Sequence, residues 1–221
     1  MIQIFETTDK FPLQKIGKMA GVCWNSPIDD IEKNIKRAKD CIKSGHGRVL
    51  EYVDIELCIS AYSARAIREY YTHIGGGPTR LQESTRYVNC AAFEYFTPNS
   101  IKNKSEATLA YKQCMEQIQK SYTTLTELGI PKEDVANILP LGMMTKVVDK
   151  RNLRNMINLM NQRLCTRAYS EIRTLANEIK TELSNYSEEW KWIAENLFVP
   201  KCDVTGFCTE TKCCGRKPRR D

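Results

Sequence analysis

Alternating apolar and polar positions mark a strand in the first third of the chain. From position 53, apolar side chains recur at every second residue, with mostly polar residues between them; the apolar set is Val53, Ile55, Leu57 and Ile59. Successive side chains of a strand point to opposite faces, so this period of two predicts a strand covered on one face. The pattern therefore predicts a half-buried, antiparallel sheet.

A helical period precedes this strand. Apolar residues recur three or four positions apart, as a helix with one buried face requires; they are Ile31, Ile35, Ala38 and Ile42. Ser26 and Pro27 are residue types that begin helices, and Gly45 is typical of a helix end. We predict a helix between these signals.

The segment after the strand combines a short helix with a glycine-rich loop. Ser63 can cap a helix over residues 64–71, and the run of three glycines and a proline at 75–78 then excludes regular structure. The sequence Arg-Tyr-Val at 86–88 predicts a return to extended structure. A loop is therefore expected to link two ordered elements.

The second half of the chain is predominantly helical. One predicted helix begins at Ser105 and is closed by Gly129, and another opens at Ser187 and ends near residue 197. Between them, one apolar stripe predicts a single helix from about residue 150 to 183; it consists of Leu153, Ile157, Met160, Leu164, Ala168, Ile172, Leu175 and Ile179. We predict an α+β protein with one domain over residues 1–200 and a tail rich in cysteine and arginine over 201–221.

Composition and charge bear on the ligand and the cellular location of the protein. A net charge of +6 over 221 residues suits an anionic ligand, although nucleic acid would serve equally well. Six of the ten cysteines are scattered through predicted helices and strands, which favours reduced thiols. There is no apolar run of the ~20 residues that a membrane span needs, and the first residues do not resemble a signal peptide. We expect a cytoplasmic protein with no membrane partner.

The glycine loop has the composition of a phosphate site. Residues 75–87 contain two arginines and several serine and threonine hydroxyls beside bare backbone. Glycines let N–H groups approach an anion, arginine binds it with two parallel hydrogen bonds, and hydroxyls add further bonds. A flexible surface loop explains the same composition equally well.

Two polar edges border the apolar stripe of the long predicted helix. Arg154 and Asn158 lie one turn apart on one flank, and Asn152 and Arg163 lie on the other, about 16 Å apart along the axis. A helix with two polar flanks can contact two different ligands, or the same ligands from two subunits. Flanking polar residues are also common simply because solvent covers them.

Four cysteines near the end of the chain are candidate ligands of a metal ion. Cys202, Cys208, Cys213 and Cys214 follow a C-x5-C-x4-C-C spacing. Four thiols suffice for zinc, but the spacing departs from the paired CxxC of typical structural zinc sites, and a tail of reduced thiols is the alternative. The sequence contains no HExxH, Walker, GxSxG or GxGxxG motif, so the enzyme classes that depend on them lose support.

Four ordered strings resemble one family. Residues 45–52 (GHGRVLEY) resemble a GHxSxxEH motif, and residues 68–87 resemble RQxxRHRxxSxNExSxRY once two residues are inserted in the glycine loop. Residues 139–145 (LPLGMMT) match LPLxxxT, and residues 152–163 match NxRxxxNxxxxR. By these strings the chain resembles the flavin-dependent thymidylate synthases over most of its length.

The departures from this pattern remove positive charge. Thr72 and Ile74 replace the two arginines of the RHR triplet, of which only His73 is retained, and Ala136 replaces a further arginine. Glu69 stands where the family has glutamine. We expect Arg80, which the longer loop introduces, or Lys146 to compensate in part.

The resemblance implies a fold, a reaction and a set of ligands. It implies an α+β fold with a helical lobe beside a central antiparallel sheet and long packing helices, assembled as a homotetramer. It also implies reductive methylation of dUMP to dTMP with FAD, 5,10-methylenetetrahydrofolate as carbon donor and NADPH as reductant. Residues implied to bind dUMP are Glu69, Thr72, Gln82, Glu83, Ser84, Thr85, Arg86 and Arg163. Residues implied to bind FAD are His46, Glu51, His73, Arg80, Asn152, Arg154 and Asn158.

Arg163 is the implied catalytic residue. The pyrimidine C5 is a poor nucleophile, so a fixed guanidinium that stabilises negative charge on the ring would raise its reactivity. Ser84 is expected to bind dUMP rather than attack it, because no neighbouring base is evident. Two other interpretations remain: a basic nucleotide- or RNA-binding protein without catalysis, and an inactive relative of the family. Nucleic acid is not the partner we expect, because the aromatic residues lack the spacing of a base-stacking platform.

Overall fold

The computed structural model describes residues 1–220, and its centre is a small antiparallel sheet. Four strands pair in the order β1-β2-β4-β3, and every neighbouring pair is antiparallel. The strands are β1 (Ile2–Ile4), β2 (Asp54–Ser63), β3 (Thr79–Gln82) and β4 (Met144–Asn152). The predicted antiparallel sheet is confirmed.

Helices account for most of the remaining ordered chain. They are α1 (Pro12–Cys23), α2 (Ile31–Lys43), α3 (Ala64–Tyr71), α4 (Asn99–Lys102), α5 (Ser105–Glu127), α6 (Lys132–Val135), α7 (Leu153–Arg163), α8 (Ser170–Tyr186), α9 (Glu188–Asn196) and α10 (Lys201–Thr205). Two 3-10 turns cover Gly47–Tyr52 and Ala136–Ile138. Within residues 1–220, no helix is long and apolar enough to cross a membrane. The α+β class is confirmed.

One face of the sheet and the later helices form the main core. Ile55, Leu57 and Ile59 of β2 are fully buried, as their period of two predicts. They belong to one cluster with the inner faces of α3, α7, α8 and α9. Burying an aliphatic side chain of this kind stabilises the fold by about 1.5–3 kcal/mol. The core therefore holds α3 and α7 against the same sheet.

The single long helix predicted from about residue 150 to 183 is wrong. Residues up to Asn152 belong to β4, and α7 ends at Arg163 before a break that lasts until α8 begins at Ser170. The side chain of Asn152 starts α7 by accepting a hydrogen bond from the backbone N–H of Asn155 at 2.9 Å. The apolar stripe is therefore divided between two helices, and Arg163 lies at a helix end.

Other boundaries also differ from the sequence expectations. Asp30 rather than Ser26 caps α2, since its carboxylate accepts a bond from the N–H of Lys33. The extended segment lies at Thr79–Gln82, immediately after the glycines, whereas residues 86–88 form a turn. The prediction of α3, with Ser63 as its cap, is confirmed, as are α5 and α9.

A buried ion pair joins β4 to α3. Asp149 is fully buried and receives two hydrogen bonds from the guanidinium of Arg151, at 2.6 and 2.9 Å. The hydroxyl of Tyr70 donates to the same carboxylate at 2.8 Å, and its ring lies 4.1 Å from the Arg151 guanidinium. Because each charge has a partner, a pair that would be costly alone can persist in the core.

The same network fixes the segment after α3. Arg151 donates to the amide oxygen of Asn155 at 2.7 Å, and the amide nitrogen of Asn155 donates to the carbonyls of His73 and Gly75. Arg80 donates to Asp149 at 3.3 Å and to the His73 carbonyl at 2.7 Å. The backbone of residues 73–75 is therefore held from the core side.

Replacing Asp149 by asparagine tests the importance of this network. Asp149→Asn leaves the Arg151 guanidinium buried without a counter-charge, so we expect a loss of about 3–5 kcal/mol in the free energy of unfolding. Urea unfolding followed by circular dichroism measures the loss. Asp54→Asn is the matched control, since Asp54 forms a half-exposed pair with Lys150, and it should cost less than about 1 kcal/mol. Equal losses in the two variants would contradict the network's role.

Candidate active site

Arg163 meets the end of α3 through all three guanidinium nitrogens. Its Nε donates to Nε2 of His73 at 3.0 Å, and its Nη2 donates to the hydroxyl of Thr72 at 3.1 Å. The side chain is 19 % exposed, and it also lines a cleft between the end of α7 and the C-terminal tail. The break after α7 explains this position, because Arg163 is the last residue of the helix.

Glu69 contributes the only carboxylate that touches Arg163 within residues 1–220. Its Oε2 lies 3.3 Å from Nη1 of Arg163, and its backbone carbonyl lies 3.4 Å from Nη2. These bonds are longer than a strong charge-assisted hydrogen bond, which measures about 2.7–2.9 Å. Glu69 is therefore a weak partner that a ligand can displace.

His73 is neutral in this arrangement. Burial, and after it the positive charges of Arg163, Arg151 and Arg80, lower the pKa of His73 from 6.5 to about 4. Its Nε2 accepts the bond from Arg163, so the single ring proton lies on Nδ1. A neutral imidazole thereby orients the guanidinium without repelling it.

Arg80 is held by the residues around the end of α3. Its three nitrogens donate to Asp149, the Tyr71 carbonyl and the His73 carbonyl, and its guanidinium stacks 4.8 Å from the Tyr71 ring. The side chain is only 12 % exposed. In this arrangement Arg80 closes the end of α3, and its expected role as a partial substitute for the missing arginines stays a prediction.

The remaining residues predicted to bind dUMP form a second group. Glu83 and Thr85 line a cleft of about 370 Å³ together with Lys146, and Gln82 donates to the hydroxyl of Thr145 at 3.3 Å. Ser84 and Thr85 are half-buried in the same turn. Arg86 points to α6, where it pairs with Glu133 at 2.9 Å. No hydrogen bond within residues 1–220 joins this group to Arg163.

Only some of the residues predicted to bind FAD lie close together in the structure. Arg154 pairs with Glu51 at 2.6 Å, and a Cβ on Gly47 would lie 3.4 Å from its guanidinium. Asn158 is exposed one turn further along α7, and His46 is exposed before the Gly47–Tyr52 turn. The Asn152 amide lies so close to Gly76, whose φ is +81°, that a Cβ there would clash at 2.6 Å. His73 belongs instead to the Arg163 group.

The cysteines of the tail are not assigned as zinc ligands. In the part of the chain that the structure describes, no three His, Cys, Asp or Glu side chains are grouped so that they could hold a metal ion. The tail is nevertheless folded: Cys208 is buried, and its backbone pairs with Pro218 and Arg220.

The sequence interpretation missed the residues that support the site. Asp149, Arg151 and Asn155 do not touch a predicted ligand, but they hold the segment that carries His73. The signal was available: Val147, Asp149 and Arg151 alternate with outward residues as a strand requires, and Tyr70 is buried on α3. It was missed because the predicted helix was started at about residue 150, which divides Asp149 from Arg151 within what is one strand.

Fold and geometry together define an α+β protein with cationic and amide side chains at the end of α3 and along α7. Residues 4–186 match the family described as thymidylate synthase complementing protein. The chain is 28 % identical over 243 residues to a flavin-dependent thymidylate synthase of Clostridium tetani, covering 97 % of this chain and 93 % of that protein. It is 30 % identical over 186 residues to the enzyme of the same name from Pyrococcus abyssi, covering 82 % and 74 %.

A solved structure shares the fold. The UMP/dUMP methylase PolB of Streptomyces cacaoi, determined with 5-Br dUMP, superposes with a TM-score of 0.74 at 16 % identity, covering 90 % of this chain and 96 % of PolB. The chain therefore belongs to the flavin-dependent thymidylate synthase family, as the four sequence strings predict.

The protonation state of His73 is directly measurable. We expect its imidazole to remain neutral, with the proton on Nδ1, as the pH falls from 7 to 5 in a ¹⁵N NMR titration, with His46→Gln to assign the second histidine. Because the folded-state pKa is depressed, the stability due to the neutral ring is present above pH 6.5 and is lost as the pH falls towards 4. A His73 that titrates near pH 6.5 would contradict the contact with Arg163.

Proposed function

We propose that this chain catalyses the reductive methylation of dUMP to dTMP, with FAD as cofactor and with 5,10-methylenetetrahydrofolate and NADPH as co-substrates. Family membership supports the class of reaction. The single observation that carries the assignment to these residues is the guanidinium of Arg163, held at its Nε by neutral His73 and bonded to the Glu69 carboxylate only at 3.3 Å.

Arg163 suits the activation of a pyrimidine. Loss of the N3 proton places negative charge on N3 and the ring oxygens and raises the electron density at C5, and a fixed cation stabilises that charge without having to reorganise. The bonds to His73 and Thr72 fix the plane of the guanidinium, while Glu69 is its weakest partner. We propose that dUMP takes the place of the Glu69 carboxylate.

The surface beside α7 fits a flavin. Arg154 is half-exposed and uses one nitrogen for Glu51, so further N–H groups remain for a diphosphate. Asn158 adds an exposed amide, and Gly76 and Gly77 leave backbone accessible beside Asn152. When bound, FAD would carry the hydride from NADPH that completes the methyl group. We propose that Arg154, Asn158, Asn152 and His46 bind it.

The separation of the two dUMP groups suggests how subunits combine. Arg163 contacts the end of α3, whereas Glu83 and Thr85, on either side of Ser84, line a different cleft of the same chain. One nucleotide can meet both groups if they come from different copies of the chain. We propose a homotetramer in which each site combines the Arg163 group of one subunit with the Ser84 group of another.

The first experiment asks whether the purified protein is yellow and makes dTMP. Bound flavin and conversion of dUMP in the presence of methylenetetrahydrofolate and NADPH support the proposal. A colourless protein that neither binds added FAD nor turns over dUMP, but binds RNA, would support the alternative of a basic RNA-binding protein. Flavin binding without turnover would indicate an inactive relative.

Removing the guanidinium of Arg163 tests its catalytic role. We expect Arg163→Ala to remain folded and flavin-bound while turnover of dUMP falls by ~10²-fold or more, the usual loss for a preorganised charge. Steady-state dTMP formation and flavin absorbance measure the two properties. The control Lys112→Ala removes an exposed cation of α5 and should change neither. Near wild-type turnover in Arg163→Ala would remove this residue from the mechanism.

Asn158 separates the flavin surface from the nucleotide site. Asn158→Ala should weaken FAD binding by about fivefold, the worth of roughly one hydrogen bond, before it weakens dUMP binding. Separate fluorescence titrations of FAD and dUMP measure both affinities. Asn177→Ala, whose amide bonds only to its own helix, is the control. If dUMP affinity falls while FAD affinity does not, the two ligands have been exchanged.

A further inference from the structure

The C-terminal tail folds back onto the end of α7 and encloses a cleft of about 280 Å³. One wall is the segment from Asn161 to Ala168, and the other is formed by α10 and the tail. The cleft is lined by five of the ten cysteines: Cys165, Cys202, Cys208, Cys213 and Cys214. Apart from Arg163, which also lines this cleft, none of the residues assigned to the nucleotide or the flavin borders it, and none of the five cysteines has a part in the proposed reaction.

The cleft is strongly positive. Six basic side chains line it, against the single carboxylate of Glu210; they are Arg163, Arg167, Lys201, Lys212, Arg216 and Lys217. Asp203 neutralises part of this charge by pairing with Arg216 at 2.7 Å. The positive charge of the cleft also affects Lys180. Burial, and after it the charge of Arg216, lower the pKa of the Lys180 amine. An anionic small molecule is therefore attracted to the thiols.

The five thiols have different surroundings. Cys208 is buried. The thiol of Cys213 is hydrogen-bonded to the backbone: its Sγ donates to the carbonyl of Lys217 at 3.3 Å and accepts from the N–H of Gly215 at 3.4 Å. Cys214 is the exposed one. A hydrogen bond with the Thr166 side chain, one from the Arg216 backbone and the Arg216 charge lower the pKa of Cys214. It has the exposure and the cationic surroundings of a reactive thiol.

Cys214 shares the cleft with a second thiol. Cys202, on α10, is half-buried and lines the same cleft. Burial, and after it the charge of Asp203, raise the pKa of Cys202, whereas the pKa of Cys214 is lowered. A more acidic, exposed thiol and a less acidic one in the same cleft suit the roles of an attacking and a resolving cysteine.

We propose that Cys214 is a modification site for anionic low-molecular-weight disulfides, that the basic cleft selects them, and that Cys202 resolves the product. The thiolate of Cys214 attacks one sulfur of the disulfide, a Cys214 mixed disulfide forms, and one small thiolate leaves. Cys202 then loses its proton to that thiolate and attacks Cys214. A Cys202–Cys214 disulfide forms, and the second small molecule leaves as a thiolate. The protein loses two electrons, and the small disulfide gains them.

The test compares an anionic disulfide with a cationic one on the reduced, full-length protein. Oxidised glutathione and cystamine serve as the probes, and peptide mass spectrometry follows the modification of Cys214 and of Cys114, an exposed thiol of α5. The rate ratio of Cys214 to Cys114 should be at least about tenfold larger for oxidised glutathione than for cystamine, and high salt should reduce the difference. An equal ratio for the two probes would overturn the proposal.

Variants of the cleft identify the residues involved. Lys201→Gln with Lys212→Gln should lower the preference for oxidised glutathione while the reaction with cystamine remains. Cys202→Ser should leave the Cys214 mixed disulfide as the stable product, whereas the parent protein yields the Cys202–Cys214 disulfide. Thiols that react only after a chelator releases zinc would overturn the proposal in favour of a metal site. None of these measurements depends on turnover of dUMP, so they succeed or fail independently of the proposed function.

Discussion

The buried pair of Asp149 and Arg151 is the interaction on which the rest of the candidate site depends. Two charges in the core are tolerable only when every donor and acceptor finds a partner, and here Tyr70, Arg80 and Asn155 supply them. Those partners come from α3, β3 and α7. Because the buried Asp149–Arg151 pair takes its hydrogen-bond partners from all three elements, it fixes the relative positions of the elements that carry the site.

As a result, the guanidinium of Arg163 is positioned indirectly, through His73 and the residues that hold it. Asn155 and Arg80 hold the carbonyl of His73, and the imidazole of His73 holds Arg163. The chain has fewer arginines here than the family pattern, and Arg80, the one that the longer glycine loop adds, serves the scaffold. In the proposed function the cationic role at the nucleotide therefore belongs to Arg163, which the network keeps next to a neutral histidine so that its charge is not repelled.

The sequence predicted the family and the sheet well, and the local geometry of the site less well. The period of two in β2 and the cap at Ser63 are local signals, and both were confirmed. The break between α7 and α8 was missed because its apolar residues continue the helical stripe, so the pattern of burial alone does not record it. The position of Arg80 depends on Asp149, a partner 69 residues away, and no local pattern contains that information.

A structure of the protein with dUMP and FAD tests the central claim most directly. The account predicts the uracil ring within about 3 Å of the Arg163 guanidinium, with the Glu69 carboxylate displaced and Arg80 still bonded to Asp149. Contact between the nucleotide phosphate and a second subunit's Ser84 turn would agree with shared sites. A complex in which Arg80 leaves Asp149 to bind a phosphate, while Arg163 stays on Glu69 and away from the uracil, would contradict it.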